Sequence, residues 1–248
     1  MYNPYSLEGK TVLVTGASSG IGRTTAIECS KLGAKVVVTG RNEDRLKETL
    51  NALEGDGHQM IVFDLNEADK LDEFISLLPT LQGFVSNAGI TQIAPIQFIK
   101  NESLKSLFQV NTMSPILLMQ KLLKKKIIGK GASVVFTSSM AALGKGTPGN
   151  CMYSASKGAI SAFIQNAALE LSPKRIRVNA VCPGTVDTPL IHSGDVTEEQ
   201  LLEESKKYPL GFGQPEDISL GITYLLSDAA KWVTGTNMII DGGFSVSS

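Results

Sequence analysis

The segment Thr15-Gly16-Ala17-Ser18-Ser19-Gly20-Ile21-Gly22 decides the fold predicted for this chain. It follows a β-branched run at 10–14, typical of a buried strand, and it precedes a helical stretch at 21–32. Glycines let the backbone approach an anion closely, and the first turn of a helix offers unpaired N–H groups and a positive dipole. A tight turn would need the same glycines, but the strand-like runs on both sides favour a phosphate site.

Strand-like and helical segments alternate along the whole chain. Most strand-like runs are apolar or β-branched without clean alternation, which is typical of parallel strands buried on both faces. The helical stretches between them suit right-handed crossovers. The predicted strands are 12–15, 35–39, 60–63, 83–86, 133–137, 176–181 and 238–240. Because the chain has 248 residues and no repeat or linker, one α/β domain over 1–248 is predicted.

Tyr153 and Lys157 open a predicted helix in the order Tyr153-Ser154-Ala155-Ser156-Lys157. Residues four apart share a helix face, which places the ammonium beside the phenol. A free tyrosine has a pKa near ~10, and a neighbouring cation favours the phenolate and lowers that pKa. The pair therefore predicts a tyrosine that transfers protons. For an isolated pair, an ordinary surface Tyr and Lys would be the better interpretation, and other motifs in the chain argue against it.

Composition and charge exclude several classes of function. The 23 basic and 24 acidic residues nearly cancel, which leaves no electrostatic basis for binding nucleic acid or an anionic membrane. No run approaches the ~20 apolar residues of a membrane span, and residues 1–10 contain no apolar stretch of a signal peptide. The three cysteines lack C-x-x-C spacing, which indicates free thiols in a reducing compartment. We expect a cytoplasmic protein, and the two distant histidines predict no metal site.

Further motifs complete a resemblance to the short-chain dehydrogenase/reductase family that covers essentially the whole chain. The glycine loop and the Tyr-Lys pair occur in the family's order and spacing. The same holds for Asn87-Ala88-Gly89, Val110-Asn111-Thr112, Thr137-Ser138-Ser139-Met140, Pro183-Gly184-Thr185-Val186-Asp187-Thr188, and the tail from Val233-Thr234-Gly235 to Asp241-Gly242-Gly243. The resemblance implies a Rossmann-type, doubly wound parallel sheet of about seven strands with helices on both faces.

The resemblance implies hydride transfer between a nicotinamide cofactor and a carbonyl or secondary alcohol. Tyr153 would donate a proton to the substrate oxygen, and Ser139 would hydrogen-bond that oxygen. Lys157 would lower the tyrosine pKa and hold the ribose hydroxyls. Asn111 would hold a water that links Lys157 to solvent, and a core-facing or helix-capping side chain is the alternative. Ser138 is a rival for the role of Ser139, and only the resemblance chooses between them.

The resemblance also implies NADP(H) and the residues that would bind it. In NAD-dependent relatives an acidic residue ends the second strand and contacts the ribose hydroxyls. Gly40 stands there in this chain, and Arg41 offers a donor fork suited to a 2′-phosphate; a solvent-facing turn residue is the alternative. Asp64 would bind adenine, or alternatively cap a helix. The full predicted set is Gly16, Ser18, Ser19, Gly20, Ile21, Gly22, Arg41, Asp64, Leu65, Asn87, Ala88, Gly89, Tyr153, Lys157, Pro183, Gly184, Val186 and Thr188.

The substrate and the assembly are predicted from resemblance alone. Pro209-Leu210-Gly211 and Gln214-Pro215-Glu216-Asp217 are most similar to the 3-oxoacyl-[acyl-carrier-protein] reductases. A sugar-alcohol or steroid dehydrogenase is the alternative, and a non-catalytic NADP-binding regulator is a third. The polar segment 188–212 resembles a substrate lid, with a solvated helix as the alternative. Helices at 103–124 and 152–171 resemble the pair that joins family dimers, which predicts a homotetramer acting on a small-molecule carbonyl or alcohol.

Overall fold

The computed structural model describes residues 2–144, 146–192 and 197–247. In these residues seven strands form one sheet in the order β3-β2-β1-β4-β5-β6-β7, and every neighbouring pair is parallel. The strands are β1 (Thr11–Thr15), β2 (Lys35–Gly40), β3 (Gln59–Val62), β4 (Leu81–Ser86), β5 (Ile128–Thr137), β6 (Arg177–Pro183) and β7 (Asn237–Ile240). The predicted Rossmann-type sheet of seven strands is therefore confirmed.

Strand β5 differs most from its prediction at its start. We predicted that β5 begins at 133, but it begins at Ile128, because Ile128 pairs with Leu81 of β4. The register between the two strands then shifts before Ser133 pairs with Gly83. The irregular stretch contains Gly129 and Gly131, which hide the strand in the sequence.

Helices cover both faces of the sheet. Phe74 of α3, Leu118 of α5 and Ile160 of α6 belong to one buried cluster. Residues of α1, α2 and α8 belong to a second cluster on the other face. The α-helices in the described residues are α1 (Gly20–Lys31), α2 (Glu43–Asn51), α3 (Leu71–Ser76), α4 (Asn101–Phe108), α5 (Ser114–Lys124), α6 (Cys151–Leu171), α7 (Glu198–Ser205) and α8 (Pro215–Leu226).

Each strand contributes to both clusters because successive side chains of a strand point to opposite faces. In β1, Leu13 lies in the cluster with α3, α5 and α6, whereas Val12 and Val14 lie in the cluster with α1, α2 and α8. All three side chains are fully buried. Burial on both faces explains why the strands are nearly continuous apolar runs in the sequence.

The carboxyl edge of the sheet gathers the predicted site segments. The strand order reverses at β1, which lies between β2 and β4. In open parallel sheets, ligands bind at the carboxyl ends of the strands beside such a reversal. The glycine loop directly follows the carboxyl end of β1, and Asn87 directly follows the carboxyl end of β4. The sheet therefore places the two motifs side by side although they are far apart in the sequence.

The helix predicted over 103–124 is present, but it is not a regular α-helix throughout. A π-helical turn, Gln109–Met113, separates α4 from α5, and it contains Asn111. Pro115 has no N–H to donate to the carbonyl of Asn111, four residues earlier, so a regular α-helix cannot run through this point. Single π-turns inside helices are frequent at functional sites. Pro115 is the residue in the sequence from which this interruption could have been predicted.

The segment 188–212 contains the exposed helix α7. A capping box between Thr197 and Gln200 begins the helix, and none of its residues is buried. Tyr208 anchors the end of the segment, since its ring stacks on Phe244 with centroids 4.4 Å apart and its hydroxyl lies 2.7 Å from the Thr185 hydroxyl. Residues 193–196 of the predicted lid lie outside the described residues. No helix of the described chain has both the length and the apolar character to cross a bilayer.

Candidate active site

Lys157 is a buried lysine on the second turn of α6. Its side chain is almost inaccessible, and Nζ donates a hydrogen bond to the Thr137 carbonyl at 2.7 Å. Burial lowers the pKa of Lys157 to about 8. Nζ lies 5.9 Å from the centroid of the Tyr153 ring, so the predicted proximity of the two side chains is confirmed. Because burying a charge is costly, such a lysine at the carboxyl edge of a sheet indicates a functional site.

The pKa of Tyr153 is shifted in the opposite direction to the prediction. Burial raises the pKa of the phenol, and a hydrogen bond with the Ser139 side chain lowers it in part. We expected the Lys157 ammonium to lower this pKa, but desolvation by burial is the largest cause of the shift. The phenol is therefore protonated at neutral pH, which is the state that a proton donor requires.

Ser138 and Ser139 lie at the end of β5 and have different surroundings. The Ser138 hydroxyl is buried, and it donates to the Lys157 carbonyl at 3.1 Å. The half-buried Ser139 hydroxyl accepts from the Ala141 N–H at 3.2 Å and interacts with Tyr153. The structure thus brings Ser139, and not Ser138, beside the phenol.

Asn111 links three segments of the site. Its Oδ1 accepts from the Ile90 N–H at 2.8 Å, and its Nδ2 donates to the Ile90 carbonyl at 2.9 Å and to the Ser156 hydroxyl at 3.1 Å. The side chain is therefore core-facing and does not cap a helix. A Cβ atom placed on Gly89 would lie 3.3 Å from both Asn111 Oδ1 and Lys157 Nζ, so the three residues adjoin.

The glycine loop has the shape and the donors for a diphosphate group. Helix α1 begins at Gly20, its N-cap Ser19 makes no side-chain cap hydrogen bond, and its first turn contains no acidic residue. The first N–H groups of α1 are therefore available to an anion. Gly16 has φ +68°, and a Cβ atom on Gly22 would lie 2.2 Å from the Gly16 carbonyl oxygen. Larger residues in place of Gly16 or Gly22 would distort the loop. Ser18 and Ile21 are the other predicted cofactor residues of the loop.

Thr15 and Thr137 hold Asn87 between β1 and β5, although we did not single them out in the sequence. Thr15 Oγ1 accepts from the N–H groups of Asn87 at 3.0 Å and Ala88 at 3.2 Å. Thr137 Oγ1 donates to Asn87 Oδ1 at 3.2 Å. Each threonine is the last residue of an apolar strand. A polar residue at the carboxyl end of a buried strand was the available signal.

The residues predicted for the adenosine part of a cofactor lie at the ends of β2 and β3. A Cβ atom on Gly40 would lie 3.4 Å from the Ser18 hydroxyl, so the end of β2 adjoins the glycine loop. Arg41 is exposed and makes no side-chain hydrogen bond or ion pair with another described residue. Asp64 accepts from the Asn66 N–H at 2.9 Å in a local turn, so it is not a helix cap. Leu65 is buried beside it.

The segment that follows β6 lies close to the glycine loop. Pro183 ends β6, and a Cβ atom on Gly184 would lie 2.9 Å from the Tyr208 ring. Val186 is buried, and the methyl carbon of Thr188 lies 3.1 Å from the position of a Cβ atom on Gly20. The predicted residues of this segment therefore lie on the same edge as the loop.

The fold and this site define a Rossmann-type oxidoreductase, and comparison with known proteins identifies the family. A family model described as "Enoyl-(Acyl carrier protein) reductase" matches residues 16–245. The chain is 34% identical over 245 residues to dehydrogenase/reductase SDR family member 6 of Rattus norvegicus, covering 97% of this chain and 99% of that relative. It is 33% identical to the 3-oxoacyl-[acyl-carrier-protein] reductase of Rickettsia prowazekii, covering 96% and 97% of the two chains.

Solved structures agree with this identification. One, described as an NAD(P)-dependent gluconate 5-dehydrogenase from Beutenbergia cavernae with NADP bound at low occupancy, has a TM-score of 0.88 at 29% identity, covering 99% of this chain and 100% of that one. Another, described as a 2-deoxy-D-gluconate 3-dehydrogenase from Agrobacterium tumefaciens with bound NADP, has a TM-score of 0.89 at 28% identity with the same coverage. The chain belongs to the short-chain dehydrogenase/reductase family and is an oxidoreductase that acts on CH–OH or C=O groups.

Proposed function

We propose that the protein is an NADPH-dependent reductase that converts a carbonyl to a secondary alcohol. The observation that carries the proposal is the arrangement of Ser139, Tyr153 and the buried Lys157 at the carboxyl edge, next to a glycine loop with free N–H groups. When bound, the nicotinamide supplies the hydride. The residues of this chain bind and orient the reactants and supply the proton.

Tyr153 would donate its phenolic proton to the substrate oxygen, since burial keeps the phenol protonated. The Ser139 hydroxyl would donate a hydrogen bond to the same oxygen and stabilise the charge that develops there. The Lys157 ammonium would stabilise the phenolate left after proton transfer and bind the ribose hydroxyls. Pro115 cannot donate a hydrogen bond to the backbone carbonyl of Asn111. This carbonyl would therefore bind a water molecule that links Lys157 to solvent, so that the proton given to the substrate is replaced through Lys157.

We assign NADP(H) to this site because of the residues at the end of β2. Gly40 carries no carboxylate to repel a 2′-phosphate, and the exposed Arg41 guanidinium has no partner among the described residues. A guanidinium binds phosphate oxygens through parallel N–H donors. The NADP described in two solved relatives supports the same assignment. The remaining predicted cofactor residues would hold the diphosphate, the adenine and the nicotinamide carboxamide.

For the substrate we propose a carbonyl compound with an apolar body, such as a 3-oxoacyl thioester. The loops after β4 and β5 adjoin, since the Ala94 N–H donates to the Gly149 carbonyl at 2.9 Å. Large apolar side chains are exposed on these loops, namely Ile93, Ile96, Phe98 and Leu143. Between the loop after β5 and the first turn of α6 lies an open cleft of about 480 Å³, lined by small residues that include Thr147 and Cys151. Apolar walls beside a few polar groups are typical of small-molecule sites.

A sugar-acid dehydrogenase is the second candidate. Two solved relatives are described as gluconate-type dehydrogenases. The segment after β6 also offers polar groups for hydroxyls, because His192 Nε2 lies 2.8 Å from Asp187 Oδ1 and both side chains are about half exposed. A polyhydroxylated substrate would be bound by groups of this kind.

We further propose that residues 1–248 form one cytoplasmic domain with a substrate lid over 188–212, and that the protein is a homotetramer. The helices α4, α5 and α6 would form the dimer interface. Met113, Leu117 and Leu169 support this, because all three are large apolar residues exposed on or between those helices. Light scattering at micromolar concentration should detect the tetramer, and a monomer would contradict it.

The test is to assay a panel of substrates and to measure the oxidation of NADPH by its loss of absorbance. The panel contains a 3-oxoacyl thioester, a ketosteroid and a keto derivative of gluconate. We expect the highest kcat/KM for the thioester and no turnover of it by Tyr153→Phe. A higher kcat/KM for the keto sugar acid would favour the second candidate. Absence of NADPH oxidation with every compound would contradict the proposal.

A further inference from the structure

Thr137, Ser138 and Ser139, at the end of β5, each contact a different group of α6. The Thr137 carbonyl accepts from the Lys157 ammonium at 2.7 Å, the Ser138 hydroxyl donates to the Lys157 carbonyl at 3.1 Å, and the Ser139 hydroxyl interacts with Tyr153. The Ser138 N–H also donates to the Val181 carbonyl at 2.8 Å. Ser138 therefore connects the sheet to the backbone of α6 at Lys157.

The Ser138 hydroxyl has hydrogen-bond partners on α6 and on β6. A hydroxyl has one proton, and Ser138 donates it to the Lys157 carbonyl. The Ser161 hydroxyl, 2.8 Å away, must then donate to Ser138. Both serines are buried, and burial raises the pKa of the neighbouring Cys182 to about 11, so its thiol stays neutral. Ser138 is thus buried among the Lys157 carbonyl, the Ser161 hydroxyl and the neutral Cys182 thiol.

We propose that Ser138 is a positioning residue for the proposed reaction, which holds α6 so that Tyr153 and Ser139 meet the same substrate oxygen. The inference rests on the proposed function. Without the Ser138 hydroxyl, α6 keeps its helical hydrogen bonds and the contact of the Lys157 ammonium with Thr137, but it loses the hydrogen bond from the end of β5 to its backbone at Lys157. A misplacement of about 1 Å can cost up to ~10²-fold in rate, so a small shift of α6 would lower kcat.

Strand β5 contains a matched control, Ser133. It is buried to the same 2% exposure as Ser138, and its hydroxyl donates to the Leu225 carbonyl of α8 at 2.8 Å. Ser133→Ala therefore removes the same kind of hydrogen bond, between the same strand and a helix carbonyl. Among the hydrogen bonds of the described residues, the Ser133 side chain has none to α6, Tyr153 or Lys157. Any effect of Ser138→Ala beyond that of Ser133→Ala is due to positioning.

The experiment compares Ser138→Ala, Ser138→Thr and Ser133→Ala in kcat, KM, the pH profile of kcat and thermal unfolding. We expect Ser138→Ala to lower kcat by roughly 10-fold, with KM within about 2-fold and a shifted pH profile. Ser138→Thr retains the hydroxyl and should recover most of the lost kcat. Ser133→Ala should lower the unfolding temperature by about as much as Ser138→Ala does, but it should leave kcat and its pH profile unchanged.

Two results would overturn the inference. One is a Ser138→Ala enzyme whose kcat and pH profile match the unmodified protein; the other is an equal loss of kcat in Ser133→Ala. If Ser138→Ala does not fold, Ser138→Cys retains the size of the side chain with a much weaker donor, and unchanged kcat in that variant would also overturn it. Full activity of Tyr153→Phe would instead refute the proposed function, so the two failures are distinguishable.

Discussion

The first turns of α6 and the segment 188–212, which we propose to be a substrate lid, are built differently. Around Lys157 the polar groups are buried, and Asn111 alone makes three hydrogen bonds to two other segments. In α7 no residue is buried, and the ion pairs Lys206–Glu203 and Lys207–Glu204 lie on the surface, where such pairs contribute little. We therefore expect the buried region around Lys157 to set the geometry of the proposed reaction, and the exposed segment 188–212, as the proposed lid, to vary with the substrate.

The strongest test of this contrast is Tyr153→Phe. The change keeps the ring but deletes the proton donor, so we expect kcat to fall by about 10²–10⁴-fold with cofactor affinity nearly unchanged. Steady-state kinetics and cofactor titration measure both quantities. Tyr224→Phe, which removes a phenolic hydroxyl from α8, should leave kcat unchanged. A Tyr153→Phe enzyme with most of its activity would show that the core does not supply the acid.

The second test concerns cofactor preference at the end of β2, where Arg41 is exposed. Hydrogen bonds to a charged group contribute roughly 1.5–3 kcal/mol, which corresponds to about 10- to 150-fold in cofactor preference. We expect the protein to prefer NADPH by a ratio in this range, and Gly40→Asp with Arg41→Ile to reverse the preference. The ratio of kcat/KM for NADPH and NADH measures it. Arg45→Ile, at an exposed arginine of α2, should leave the ratio unchanged, and equal values in the unmodified protein would contradict the assignment.

The third test is the pH dependence of stability due to Lys157. Its pKa is about 8 in the folded protein against an ordinary value of 10.5, so between these pH values the unfolded chain binds more protons and stability rises with pH. The free energy of unfolding, relative to Lys157→Met, should rise by up to about 1.4 kcal/mol per pH unit in that window. Urea unfolding at several pH values measures the slope.

A lysine of the lid provides the control for that slope. Hydrogen bonding to Glu204 raises the pKa of the exposed Lys207, so any stability that Lys207 contributes is lost, and not gained, as the pH rises. The unmodified protein compared with Lys207→Met should therefore show no rise between about pH 8 and 10.5. The same rise at both lysines would mean that burial at Lys157 is not the cause.

The smallest effect is expected in the lid itself. Thr197→Ala removes the capping box of α7, which should cost about 1 kcal/mol of local helix stability. Hydrogen exchange in α7 should become faster, and KM for the substrate should change by a few-fold while kcat stays the same. Thr234→Ala, in a loop before β7, provides a comparison outside the lid. A fall in kcat like that of Tyr153→Phe would show that the lid also sets the reaction geometry.

Local patterns in the sequence predicted much of the fold. The apolar runs predicted all seven strands, and the four-residue spacing of Tyr153 and Lys157 predicted their shared helix face. The start of β5 was missed because Gly129 and Gly131 mask it. The π-turn was missed because the consequence of Pro115 for the Asn111 carbonyl was not considered.

The sequence by itself determined the parallel α/β sheet, the glycine loop and the order of the motifs, because periodicity and spacing are properties of short segments. Only the tertiary structure decided which serine lies beside Tyr153, how Asn111 is bonded and in which direction the pKa of Tyr153 is shifted. Each of these depends on burial and on hydrogen bonds between segments that are distant in the chain. The hydroxyls of Ser138 and Ser139 are chemically identical in the sequence and become different only when α6 packs against the end of β5.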